Sequence, residues 1–155
     1  MEAARAGFPA IAISADGNST AQVSYTTFTS EPNSNLAKSA EIYSHLTTKF
    51  LKELLLYGTS DVLPKNTILN VNYPGTAHCS TVDSFKFVFT RVNENSAARN
   101  VITCGSGQLP TENKVIESGC YVSVSVVNAT TKEDVGAITQ ATVFNRLQSF
   151  FSCLP

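Results

Sequence analysis

At 155 residues and a formal net charge of -1, the chain has room for one domain with a real core and not for two. The near-neutral balance, with no cluster of Lys and Arg, excludes broad attraction to a nucleic-acid polymer or an anionic membrane. No apolar stretch approaches the ~20 residues needed to cross a bilayer, so no membrane partner is expected.

Good helix formers at positions 2 to 6, with no capping residue ahead of them, predict the last turns of a helix that stops at Gly7. Phe8 to Ile13 is almost wholly apolar, the pattern of a strand covered on both faces in a parallel α/β sheet. Such a strand needs neighbours on both sides. The sequence is therefore expected to begin mid-fold, with those upstream neighbours missing from it. Turn formers from Ala15 to Thr20 and a Ser/Thr-laden segment as far as Pro32 and Asn33 predict a surface loop.

From Leu36 to Leu56 apolar residues recur at helical spacing, with Asn33 or Ser34 placed to cap the start and Gly58 just beyond the end. Thr67 to Tyr73 alternates Leu69, Val71 and Tyr73 with Asn70 and Asn72, a strand closed by Pro74 and Gly75. Phe85, Phe87 and Phe89 mark another strand, and Asn100 to Cys104 and Tyr121 to Val127 two more. Their one-sided patterns predict antiparallel additions to the sheet. Thr130-Thr131-Lys132-Glu133 has capping-box spacing and opens a last helix whose apolar side is Val135, Ile138, Thr142, Leu147, Phe150 and Phe151. The fold class expected is α/β, a single domain over residues 1–155 with a parallel core strand, antiparallel strands and a C-terminal helix.

Four dispersed cysteines, Cys79, Cys104, Cys120 and Cys153, lack the CxxC spacing of zinc or thioredoxin-like sites and favour disulfides. Sequons at Asn18 and Asn128 agree with an oxidising, extracellular compartment and predict a secreted glycoprotein. The N-terminus does not read as a signal peptide, because Glu2 spoils a basic start and the apolar run is short.

Recognisable catalytic motifs are missing. Only two histidines occur, His45 in the helical stretch and His78 beside Cys79, and neither belongs to a nucleophile motif. Cys104-Gly105-Ser106-Gly107 lacks the Lys and following helix of a phosphate loop and reads as a turn after a disulfide cysteine. Asp16, at the carboxyl end of the first strand, stands where open α/β sheets bind ligands, although an Asp-Gly turn with a glycosylated neighbour is the favoured explanation. Asn70 and Asn72 offer amides to a ligand or, more simply, hydrogen bonds to a neighbouring loop. Glu133-Asp134 is explained by capping and the helix dipole.

Three segments carry a resemblance that spans nearly the whole chain. They are Ala4-Arg5-Ala6-Gly7-Phe8-Pro9-Ala10-Ile11-Ala12-Ile13-Ser14, Leu63-Pro64-Lys65-Asn66-Thr67-Ile68-Leu69-Asn70-Val71-Asn72-Tyr73-Pro74 and Gly119-Cys120-Tyr121-Val122-Ser123-Val124-Ser125. Together they resemble the C-terminal half of the SurE-type survival-protein family of phosphatases and nucleotidases, especially its secreted fungal acid-phosphatase-like branch. The family commonly reads Gly-Tyr-Val-Ser where this chain inserts Cys120, a mark of the disulfide-bearing branch.

The resemblance implies a three-layer α/β sandwich, here partial, that hydrolyses phosphomonoesters, including nucleotides, with a divalent metal such as Mg or Mn. It also implies a homodimer arm. The family's metal-holding Asp-Asp pair, its further Ser and Asn, and the Ser-Gly-Thr stretch at the phosphate do not occur in this sequence. No catalytic or metal-binding residue is therefore transferred, and the isolated chain is expected to be inactive. Sequence proximity together with the resemblance gives the pairing Cys79 with Cys104 and Cys120 with Cys153, one of the three that four cysteines permit. A non-catalytic secreted binding or structural remnant of the same fold is the alternative expectation.

Overall fold

A computed structural model describes residues 1–15, 24–58 and 61–155. Glu2–Arg5 forms one helical turn, α1, and Gly7 leaves it at φ 89°, a left-handed conformation that a side chain would strain. Strand β1, Ala10–Ala15, follows directly. A short helical turn, α2, Thr27–Ser30, lies in the segment expected as loop. The long helix α3, Asn35–Leu54, is capped by Ser34, whose hydroxyl accepts the Ala37 N–H at 3.2 Å. Strand β2 is Thr67–Tyr73, β3 is Lys86–Thr90, α4 is Glu112–Glu117, β4 is Tyr121–Asn128 and α5 is Ala137–Leu147.

The strands form one mixed sheet in the order β1-β2-β4-β3. β1 runs parallel to β2, β4 antiparallel to β2, and β3 parallel to β4. One face is apolar: Leu69, Val71, Tyr73, Val122, Val124, Val126, Phe87 and Phe89 meet Leu46, Phe50 and Leu54 of α3 and Val143 and Leu147 of α5. Phe50, fully buried, stacks 5.5 Å from Phe87 and lies 6.1 Å from Phe150. Truncation to alanine there costs about 3–5 kcal/mol in transfer and cavity terms. The other face is covered by α1, where Ala4 meets Ile68 and Val127, and by α4 through Glu112. Helices on both faces of a mixed sheet make this the expected α/β class.

Several details differ from the sequence reading. β1 is the outermost strand among the described residues, and it is not covered on both faces: Ala12, Ile13 and Ser14 are exposed, Ile13 by 40%. β3 joins the sheet parallel to its neighbour, not antiparallel. Asn100 to Cys104 is no strand: the Val101 N–H goes to the Gln140 side chain, and Thr103 and Ser106 close a tight turn over Cys104 and Gly105, both at positive φ. The last helix starts at Ala137, so Thr130 to Glu133 does not cap it. Its buried stripe is Gln140, Val143 and Leu147, while Ile138 faces solvent.

The disulfides join Cys79 to Cys120 and Cys104 to Cys153, which overturns the pairing by sequence proximity. Strand order supplies the reason. β2 ends where antiparallel β4 begins, Asn72 opposite Ser123, so the chain leaving β2 carries Cys79 past Cys120. The C-terminal segment runs along the free edge of β3, with Phe151 bridged to Phe87, and so brings Cys153 to the loop that holds Cys104.

Candidate functional site

The polar residues of the sheet gather on the face opposite the aromatic core. Ser14, Asn72 and Ser123 stand side by side on β1, β2 and β4 at the carboxyl ends of the two parallel strands. Ser14 Oγ donates to Asn72 Oδ1 at 2.5 Å, and Asn72 Nδ2 donates to Ser123 Oγ at 3.1 Å. One step along the strands, Asn70 Nδ2 reaches both carboxylate oxygens of Glu112, at 2.9 and 3.1 Å. Beside it Thr90 and Ser125 share a hydrogen bond of 2.7 Å. Asn70 and Asn72 are thus partnered by an adjacent helix and adjacent strands rather than by a loop. The period of two in Asn70/Asn72 and Ser123/Ser125, within otherwise apolar strands, is the signal that would have placed each pair on one face of its strand, although not beside each other.

Ser14 is exposed and Ser123 fully buried, so the row opens to solvent at its β1 end. An exposed hydroxyl held in one orientation can position a ligand. It is not an activated nucleophile, because the atom that accepts its proton is an amide oxygen, which is no base. His45 sits on an exposed part of α3, 3.8 Å from Glu41, and His78 on an exposed turn before Cys79. Neither hydrogen-bonds to the ladder. Asp16, Gly17 and Asn18 lie outside the described residues.

Glu133 and Asp134 do not serve as helix caps. The Asp134 carboxylate accepts the backbone N–H of Val92 at 2.7 Å and of Asn93 at 3.0 Å and pairs with Arg91. The buried carboxylates are therefore occupied by N–H donors: Glu112 by an amide, Asp134 by a guanidinium and two peptides. Tyr73, under the apolar face, donates or accepts at Thr47 Oγ1 over 2.9 Å, and burial pushes its phenol up from the ordinary value.

A mixed α/β sheet with helices on both faces defines the class of open-sheet α/β domains, in which ligands commonly bind at the carboxyl ends of the parallel strands. Residues 1–99 match the family model described as Survival protein SurE, and the chain belongs to that family. No curated protein matches it. The family comprises divalent-metal-dependent phosphatases and nucleotidases that act on phosphate esters.

The described residues do not fit the metal centre that this membership implies. Hard divalent cations take several oxygen ligands, usually with carboxylates among them. Among the described residues no group of three or more His, Cys, Asp or Glu side chains comes together. The one carboxylate on the ladder, Glu112, is faced by amide N–H groups rather than by further oxygens. No catalytic step through a metal is built from these residues.

Proposed function

We propose that this chain is the C-terminal portion of a secreted, metal-dependent acid phosphatase or 5'(3')-nucleotidase, and that residues 1–155 form a single SurE-like domain without its metal-binding part. The observation that carries this reading is the edge of β1. An apolar strand, parallel to its one neighbour and free of charged residues, leaves its outer N–H and C=O groups unpaired among the described residues. Natural edge strands are usually blunted by charges, bulges or a covering element. Further strands bearing the Asp-Asp pair would complete the sheet and bring Mg or Mn to the carboxyl end of β1, beside Ser14 and Asn72. The substrate would be a phosphomonoester or nucleotide, with no nucleic-acid polymer or membrane as partner, and the complete protein would be a homodimer. By itself the chain is inactive, and no residue described here is assigned a catalytic or metal-binding role.

Two disulfides support an extracellular location. Asn18 and Asn128 are proposed as glycan acceptors. At Asn128 the side-chain oxygen takes the N–H groups of Thr130 and Thr131. Mapping the 5′ end of the native transcript tests the reading. A frame that continues upstream through a signal peptide and an Asp-Asp pair is the expected result, and a start at Met1 would overturn it.

A second reading, a non-catalytic secreted binding or structural protein, is favoured by one observation. Among the described residues no buried side-chain polar atom is left without a partner, which supports a domain that holds together without further strands. A start at Met1 with the folded chain in the secreted fraction supports this reading.

A further inference from the structure

A well-formed cavity lies away from the polar ladder, at the opposite edge of the sheet, where the C-terminal segment passes β3. Its volume is about 480 Å³, and Val88, Phe89, Leu109, Phe144 and Phe151 supply its apolar walls. That volume is within the ~300–1,000 Å³ of small-molecule sites. Phe144 and Phe151 stack at 5.7 Å, and Phe89 meets both edge-on at 5.6 and 5.2 Å, so the aromatic wall is a packed unit. The Cys104–Cys153 bridge forms part of the lining and ties the Thr103–Ser106 turn to the C-terminal segment. The walls are fixed by covalent and packing contacts before anything binds, which lowers the ordering cost of binding.

Among the described residues, one charged side chain borders this cavity. Lys114, on the exposed side of α4, is among its lining residues and makes no ion pair among the described residues. A preformed cavity with an aromatic wall, polar side chains from Thr103, Ser106, Gln108, Gln148 and Ser152, and a single cation without an ion pair among the described residues is complementary to a molecule with an apolar body and one negative head. We propose that this cavity binds a small amphiphilic anion, an aromatic or aliphatic acid whose body packs on the half-buried Phe144 and Phe151 and whose acidic group meets Lys114. The site is separate from the β1 end of the sheet and does not depend on the phosphatase reading.

The test is a pair of NMR titrations of the whole chain, with phenylbutyrate and with its neutral counterpart phenylbutanol. Saturable shifts at Leu109, Phe144 and Phe151 are expected with both. Lys114→Met keeps the aliphatic stem on an exposed position and removes the charge. It should weaken phenylbutyrate roughly tenfold, the size of one charge-assisted contact, while leaving phenylbutanol within about twofold. Shifts confined to other residues, or no saturation with either probe, would overturn the site. A Lys114→Met chain that binds both probes as the parent does, or loses both equally, would overturn the assignment of an anion.

Discussion

The guanidinium of Arg91 and the carboxylate of Asp134 meet at 3.4 Å with each side chain only 7% exposed. Arg91 also donates to Asn93 O and, at 3.1 Å, to Asn100 Oδ1, which accepts Gln140 Nε2 at 3.1 Å. The pair therefore fastens the segment after β3 to α5 and to the chain leading into it. Removing one partner of a buried ion pair leaves the other charged and desolvated. Asp134→Ala should cost about 3–5 kcal/mol, and Asp134→Asn less, because an amide oxygen still accepts from Val92 or Asn93. Urea unfolding checks both, and a loss for Asp134→Ala no larger than that of an exposed carboxylate would contradict the network's role.

The two disulfides differ in access. Cys79 is 2% exposed, whereas Cys104 and Cys153 are both on the surface. Thiol–disulfide exchange requires the attacking thiolate to reach a sulfur. Under graded reductant, Cys104 and Cys153 should be alkylated first, with Cys79 and Cys120 following only as the fold opens. Peptide mapping at each stage reads the order. Each bridge closes a loop for which the chain-entropy model gives about 4 kcal/mol.

Tyr73 stacks on Tyr43 at 5.5 Å and is held neutral by burial, with the Thr47 hydrogen bond acting in the opposite and smaller sense. Its folded-state pKa is raised, so above the unfolded value near pH ~10 the native state binds the extra proton. The stabilisation is complete below that value and is lost as pH rises through the folded pKa. Tyr73→Phe should cost about 0.5–1.5 kcal/mol at neutral pH through the lost hydrogen bond. It should also flatten the alkaline decline, read from urea midpoints on either side of pH ~10. A decline as steep as in the parent chain would assign it to other groups.

Arg146 closes the end of α3 from a distant part of the chain. Its Nε donates to Leu54 O at 2.7 Å and its Nη2 to Gly58 O at 2.7 Å, two carbonyls at and beyond the helix terminus. Arg146→Ala should destabilise by about 1.5–3 kcal/mol, the range for hydrogen bonds to charged groups. Arg146→Lys should recover only part, since an ammonium lacks the fork that reaches both carbonyls. Thermal unfolding of the two variants distinguishes these outcomes.

Local signals carried much of this architecture. Helical spacing and Ser34 set α3, the Leu69/Val71/Tyr73 alternation set β2 to the residue, and Gly7 ended α1. What failed depended on partners distant in sequence. Thr130 to Glu133 has the pattern of a cap, but Asp134 is drawn to Arg91, and the Val135 N–H bonds to Val126 O, delaying the helix. The cysteine pairing follows from strand order, which proximity along the chain does not encode. Asn70 and Asn72 were visible as a pattern, whereas Ser14 and Ser123 as partners of Asn72 became visible only once β1 and β4 flanked β2.

The proposed lack of a metal centre in residues 1–155 can be measured. The direct measurement is hydrolysis of a generic aryl phosphomonoester by the purified, folded 155-residue chain, with Mg or Mn and with a chelator. The expected rate equals background in each case. A metal-dependent rate well above background, abolished by the chelator, would contradict that proposal and place a functional centre within this sequence.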